Sequence, residues 1–101
     1  MAIERRAVYF ASDGTIEWQD EGPGDFSVTR TATGKYRVTL PSAINGANYA
    51  VMAYTRPVSS SSSTRQCECY GVTSTTVNVT VFTGTSPTNQ SIFFEIVYDS
   101  L

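Results

Sequence analysis

The segment Lys35–Leu40, KYRVTL, sets Tyr36, Val38 and Leu40 at one parity and Lys35, Arg37 and Thr39 at the other. A two-residue period sends successive side chains to opposite faces of an extended chain, so one face is apolar and the other is wet. Nearly every segment of the 101-residue chain has this period, and none has the 3.6-residue apolar stripe of a helix. Thr, Val and Tyr enrichment disfavours helix further. The chain is thereby restricted to short antiparallel strands.

Ala2–Ala11 and Gly14–Gln19 are read as a first pair, joined by Ser12-Asp13-Gly14. Asp-Gly between apolar runs is a strong hairpin signal, because Gly accepts positive φ at little steric cost. Residues Gln19–Gly24, QDEGPG, form a loop by composition. Phe26–Thr31 and Lys35–Leu40 pair through Ala32-Thr33-Gly34, and Pro41–Ala47 is a connection rich in breakers. Asn48–Arg56 is the next strand, halted by Pro57, and the serine run Ser59–Ser63 is read as a surface loop. Arg65–Val72, Thr75–Thr83 and Gln90–Asp99 complete the strands, with Gly84–Asn89 as the last loop. About eight strands with turns every 8–12 residues predict an all-β fold, an antiparallel β-sandwich forming one domain over residues 1–101.

Two strands are apolar on both faces. In the last one, Ile92, Phe94, Ile96 and Tyr98 oppose Phe93 and Val97, with Glu95 between them. In Asn48–Arg56, Tyr49, Val51 and Ala53 oppose Ala50, Met52 and Tyr54. A two-layer domain buries one face of each sheet, and each large apolar side chain left outside forgoes about 1.5–3 kcal/mol. Met52, Phe93 and Val97 are therefore the candidate subunit interface of a homo-oligomer.

Cys67 and Cys69 are spaced i, i+2 and share a strand face, a poor geometry for a relaxed disulfide. The chain has no His and no second Cys pair to complete a zinc site, so both thiols are expected to be small structural apolar groups, with no metal and no cofactor. The charge balance of 7 basic and 9 acidic residues gives 7 − 9 = −2, with a pI of about 4.9 and no basic stripe, which argues against a nucleic-acid partner. No apolar run nears the ~20 residues that cross a bilayer. Glu4, Arg5 and Arg6 interrupt the N-terminal apolar segment where a signal peptide would be continuous, so synthesis in a cytoplasm is expected.

Catalytic signatures are lacking. Without His there is no Ser-His-Asp triad, and no GxSxG, Walker or Rossmann pattern occurs. The carboxylates Glu17, Asp20, Glu21, Asp25, Glu68 and Glu95 fall mostly in or near loops, where charges are solvated, and Glu95 is expected to meet an Arg. No enzyme is expected. Asn78 and Asn89 match the glycosylation sequon, a match that a Thr-rich β-chain produces by chance. Sugars are commonly held by an aromatic ring against their C–H face, with polar groups on the hydroxyls. Trp18, beside the acidic loop, and Tyr54, Arg56, Arg65 and Tyr70, around the serine loop, are the candidate glycan or receptor contacts.

The stretch Phe26–Met52, FSVTRTATGKYRVTLPSAINGANYAVM, resembles a cassette that recurs near the C-termini of bacteriophage tail fibres and related virion proteins. Ala7-Val-Tyr-Phe with Asp13-Gly-Thr-Ile is similar to the opening that precedes it, and Phe93-Phe-Glu-Ile-Val-Tyr98 to the closing strand. The resemblance implies a homotrimeric module at or near a fibre tip that contributes to attachment to the bacterial surface. Its partners would be a surface glycan or protein receptor and other virion proteins, and its place the virion, after synthesis in the host cytoplasm. The serine run and Cys67-Glu68-Cys69 depart from the cassette, so no receptor specificity is carried over, and no catalytic residue is either. A chain opening on Met1 without a fibrous shaft would also suit a complete small protein decorating a capsid or tail. A freestanding carbohydrate-binding module is the remaining alternative.

Overall fold

The computed structural model describes residues 3–22, 24–44, 48–55, 65–83 and 86–99. Within them the chain forms β1 (Ile3–Phe10), β2 (Ile16–Gln19), β3 (Ser27–Ala32), β4 (Lys35–Thr39), a short 3-10 turn (Ser42–Ile44), β5 (Tyr49–Thr55), β6 (Arg65–Tyr70), β7 (Thr76–Thr83), β8 (Ser86–Pro87) and β9 (Ile92–Asp99). Sheet A has the order β2-β1-β9-β5, and sheet B the order β3-β4-β7-β6 with β8 pairing to β7. All pairings are antiparallel. The two sheets pack face to face as the expected sandwich.

Alternation decides which side chains lie between the layers. Val8, Phe10, Ile92, Phe94 and Ile96 point inward from sheet A, and Tyr36, Val38, Val77, Val79 and Val81 meet them from sheet B. Phe26, Leu40 and Ile44 join the same core. Phe10 packs on Tyr36 at 5.3 Å between ring centroids, and Phe26 meets Phe94 edge-on at 6.1 Å. Tyr36 is buried to its phenol and satisfies its hydroxyl by donating to Ser12 O at 2.6 Å. Burial raises its pKa.

One turn shows how closely the backbone is fitted. Gly34, φ +69°, closes the β3–β4 hairpin, and a Cβ there would stand 2.6 Å from Thr88 N. Its amide donates to Asn89 Oδ1 at 2.8 Å, and its carbonyl accepts from Val81 N at 2.8 Å. Asn89 thus spends its side chain inside the fold. The stretch Gly84–Asn89, expected to be loop throughout, contains the two-residue β8, where Ser86 and Pro87 lie opposite Thr83 and Phe82.

The stretch 19–24, expected to be loop, begins inside β2 at Gln19; residues 20–22 and 24 lie outside the strands and residue 23 outside the described residues. Asp20 is not the solvated carboxylate expected. Arg6 shares the inward parity of Val8 and Phe10 and is 4% exposed. Its Nε donates to Asp20 Oδ1 at 2.7 Å, its Nη2 donates to Gly24 O at 3.0 Å, and its guanidinium lies 5.6 Å from the Phe26 ring centroid. Asp20 Oδ2 also accepts from Ala7 N at 3.1 Å. A cation at a core position is tolerated because this carboxylate and this carbonyl replace its water. A Cβ on Gly22 would sit 2.4 Å from Arg6 Cζ, so bare backbone covers the charge.

Candidate functional site

The strand registers assemble the outward residues of sheet A into rows. Trp18 of β2 lies opposite Tyr9 of β1, Tyr9 opposite Phe93 of β9, and Phe93 opposite Tyr54 of β5. Four aromatic residues thus cross the whole sheet in one line. Trp18 and Phe93 are near parallel at 17° with centroids 6.4 Å apart, and Tyr54 and Phe93 at 22° and 5.1 Å. Trp18 starts two strands from Phe93, so its ring reaches across β1 at Tyr9. The Tyr9 hydroxyl is buried and has no hydrogen-bond partner among the described residues.

The next rows are Ala7–Glu95–Met52 and Arg5–Val97–Ala50, and Arg5 Nη1 reaches Glu95 Oε1 at 3.3 Å across them. The expected arginine partner of Glu95 is therefore Arg5. Trp18, Met52 and Tyr54 are 51%, 54% and 47% exposed, while Phe93 and Val97 are half-buried by their neighbours on the sheet.

Residues read from the sequence as two separate sets meet on this face. Trp18 and Tyr54, the expected glycan contacts, stack on Phe93, which with Met52 and Val97 is the expected subunit interface. Tyr70 does not join them. Chain proximity places it beside the serine loop, but β6 runs away from that loop after Arg65, and at about 3.3 Å per residue five residues take Tyr70 some 17 Å along the strand. It ends on the outer face of sheet B, on the far side of the sandwich. Arg56, the serine run and the side chain of Arg65 lie outside the described residues.

The outer face of sheet B is chemically different. Its rows are Thr29–Arg37–Asn78–Tyr70, Lys35–Thr80–Glu68 and Ser27–Thr39–Thr76. Cys67 and Cys69 point the other way, half-buried against the core and unbonded to each other. Burial pushes the Cys67 thiol up to about 11 and raises Cys69 in the same direction.

Tyr9, Thr29, Arg37 and Asn78 are not among the site residues read from the sequence, and Tyr70 is read there in a different setting. Parity alone puts Tyr9 outward, since Val8 and Phe10 face inward, but which residues stand beside it depends on register between distant strands. Compared with known proteins, the chain matches no family model, no curated protein and no solved structure.

Proposed function

We propose that this chain is a structural module of a bacteriophage virion, of the tail-fibre or receptor-binding-tip kind. It assembles as a homotrimer through the outer face of sheet A and attaches the particle to the host cell surface. The observation that carries this is the unequal dressing of the two outer faces: Trp18, Phe93, Tyr54, Met52 and Val97 stand on one, and mainly threonines and charges, with Tyr70 and Phe82, on the other. The cassette Phe26–Met52 supports the same assignment through its resemblance to tail-fibre domains.

Dimensions support the assembly. Four strands at about 4.8 Å spacing make sheet A about 19 Å wide, and eight residues make it about 26 Å long. Three such faces closing a triangle stand about 5.5 Å from its axis, close to half the ~10 Å at which packed sheets interdigitate. Each contributes at most about 500 Å² of flat area, so the three together gather up to about 1,500 Å² around one axis. Three copies presenting the same weak site gain avidity of about 10²–10⁴ without any new contact.

Sedimentation velocity on the purified chain, with binding of the labelled protein to intact bacterial cells, tests both halves. A trimer that binds cells is expected. A trimer that binds no bacterial surface would make the protein a capsid or tail decoration protein. The parallel rings of Trp18, Phe93 and Tyr54 favour one other function, a freestanding carbohydrate-binding module, in which a glycan and not another copy covers the row. A monomer that binds glycans and loses them on Trp18→Ala would establish that function instead.

A further inference from the structure

The outer face of sheet B plays no part in that assembly, and its residues are arranged for a different kind of ligand. Eight of the nine carboxylates belong to sheet A and the connections around its strands. The outer face of sheet B carries one carboxylate, Glu68, with two cations, Lys35 and Arg37. A chain of net charge −2 therefore has one face of net positive charge among the described residues.

On that side the row Thr29–Arg37–Asn78–Tyr70 sets a hydroxyl, a guanidinium, an amide and a phenol ring on four successive strands. At about 4.8 Å per strand the row is about 14 Å long. Arg37 and Tyr70 are exposed, Tyr70 by 46%, and Asn78 is half-buried between them. None of the three side chains has an ion-pair or hydrogen-bond partner among the described residues. Opposite charges on a sheet surface ordinarily pair across strands, yet Arg37 faces Thr29 on one side and Asn78 on the other. Gly71, φ +58°, follows Tyr70, and a Cβ there would lie 2.6 Å from Asn78 Nδ2. The missing side chain is what lets the Asn78 amide lie at the ring end of the row.

We propose that this row binds an acidic saccharide. The guanidinium pairs with a carboxylate, sulfate or phosphate group on the sugar. The Asn78 amide and Thr29 hydroxyl meet ring hydroxyls, and Tyr70 covers a C–H face. The site rests on the attachment function above and gives it a ligand class and a location opposite the assembly face. Lys35 and Arg37 are the two cations of the outer face itself, too few to hold a nucleic acid on a chain of this net charge.

The test is an array of oligosaccharides paired by backbone, with uronate-bearing, sulfated and phosphorylated members beside neutral counterparts and a single-stranded oligonucleotide. It is probed with the full chain and with Arg37→Gln and Tyr70→Ala. Both side chains are exposed, so both variants keep the wild-type circular dichroism. Binding confined to acidic saccharides is expected, weakened about tenfold by each variant and weakened again between about 0.05 and 0.5 M salt. The proposal is overturned by retention of no acidic saccharide, by equal binding of the neutral counterparts or the oligonucleotide, or by variants that bind as wild type does. Cell binding separates the two levels. If wild type and both variants adhere to bacteria equally, attachment stands and this site falls. If wild type binds acidic saccharides through Arg37 and Tyr70 but adheres to no bacteria, the site stands and attachment falls.

Discussion

Across sheet A the outward residues read Trp18–Tyr9–Phe93–Tyr54, and across sheet B they read Thr29–Arg37–Asn78–Tyr70. Both rows cross four antiparallel strands, and both lie over the same core. Threonine supplies sheet B with β-branched side chains that favour the pleat without exposing much apolar surface. Sheet A could have been dressed in the same way. Its outer Trp, Phe, Met and Tyr are not needed for strand formation and forgo burial in the isolated subunit. The contrast shows that the strands need only their inward parity. The outward parity is free to vary, and it is dressed differently on each side.

The comparison can be broken most forcefully inside one strand. Phe94→Ala is expected to cost about 3–5 kcal/mol by urea unfolding, because it opens a cavity between the sheets. Phe93→Ala, one residue away, is expected to leave the unfolding of the dissociated subunit within about 1 kcal/mol. Equal losses at the two positions would mean that Phe93 belongs to the intrachain core.

Asp20→Ala comes next, at about 3 kcal/mol in the same measurement, since it strands the buried Arg6 charge. A loss below about 1 kcal/mol would show that Arg6 finds water instead.

Phe93→Asp sharpens the contrast between faces. It is expected to dissociate the proposed trimer in sedimentation with the circular dichroism of the subunit retained. Thr39→Asp, its counterpart on the outer face of sheet B, is expected to leave the sedimentation unchanged and to cost at most about 1 kcal/mol.

The smallest effect lies on the inward side of β6. With its thiol near 11 instead of 9.0, Cys67 is expected to alkylate at pH 8 on the order of 100-fold more slowly in the folded protein than in urea. The sign of the linked stability follows. The folded thiol stays protonated where the unfolded one ionises, so this contribution is complete below pH 9 and declines as pH rises towards 11. Labelling at the unfolded rate would show that β6 does not cover the core.

The alternation within single strands is legible in the amino-acid sequence. It separates Phe93 from Phe94, puts Tyr36 and Val38 inward, and leads to the antiparallel sandwich. Register lies outside its reach, because strand pairing joins residues far apart in the chain. Trp18, Phe93 and Tyr54 become neighbours only through three ladders, and Tyr70 leaves the serine loop because β6 carries it to the other end of the opposite sheet. The pairing of Asp20 is hidden for a related reason. Its partner Arg6 is 14 residues away on another strand. A usable signal is present nonetheless, since Arg6 has the parity of Val8 and Phe10, and a charge at a core position demands a counter-charge. Ser86–Pro87 is masked by composition, because proline lacks the donor by which a strand usually announces itself.

The contact between Arg6 and Asp20 has one further consequence. It lies where the chain leaves sheet A after β2 to enter sheet B at β3, and the same guanidinium also grips the Gly24 carbonyl and the Phe26 ring. That corner is welded. The connection has no freedom to lengthen there, since an inserted residue would prise the Gly22 backbone from the buried Arg6 guanidinium. Diversity has to be written elsewhere, in side chains that stand on the ladders and can be exchanged without moving the backbone.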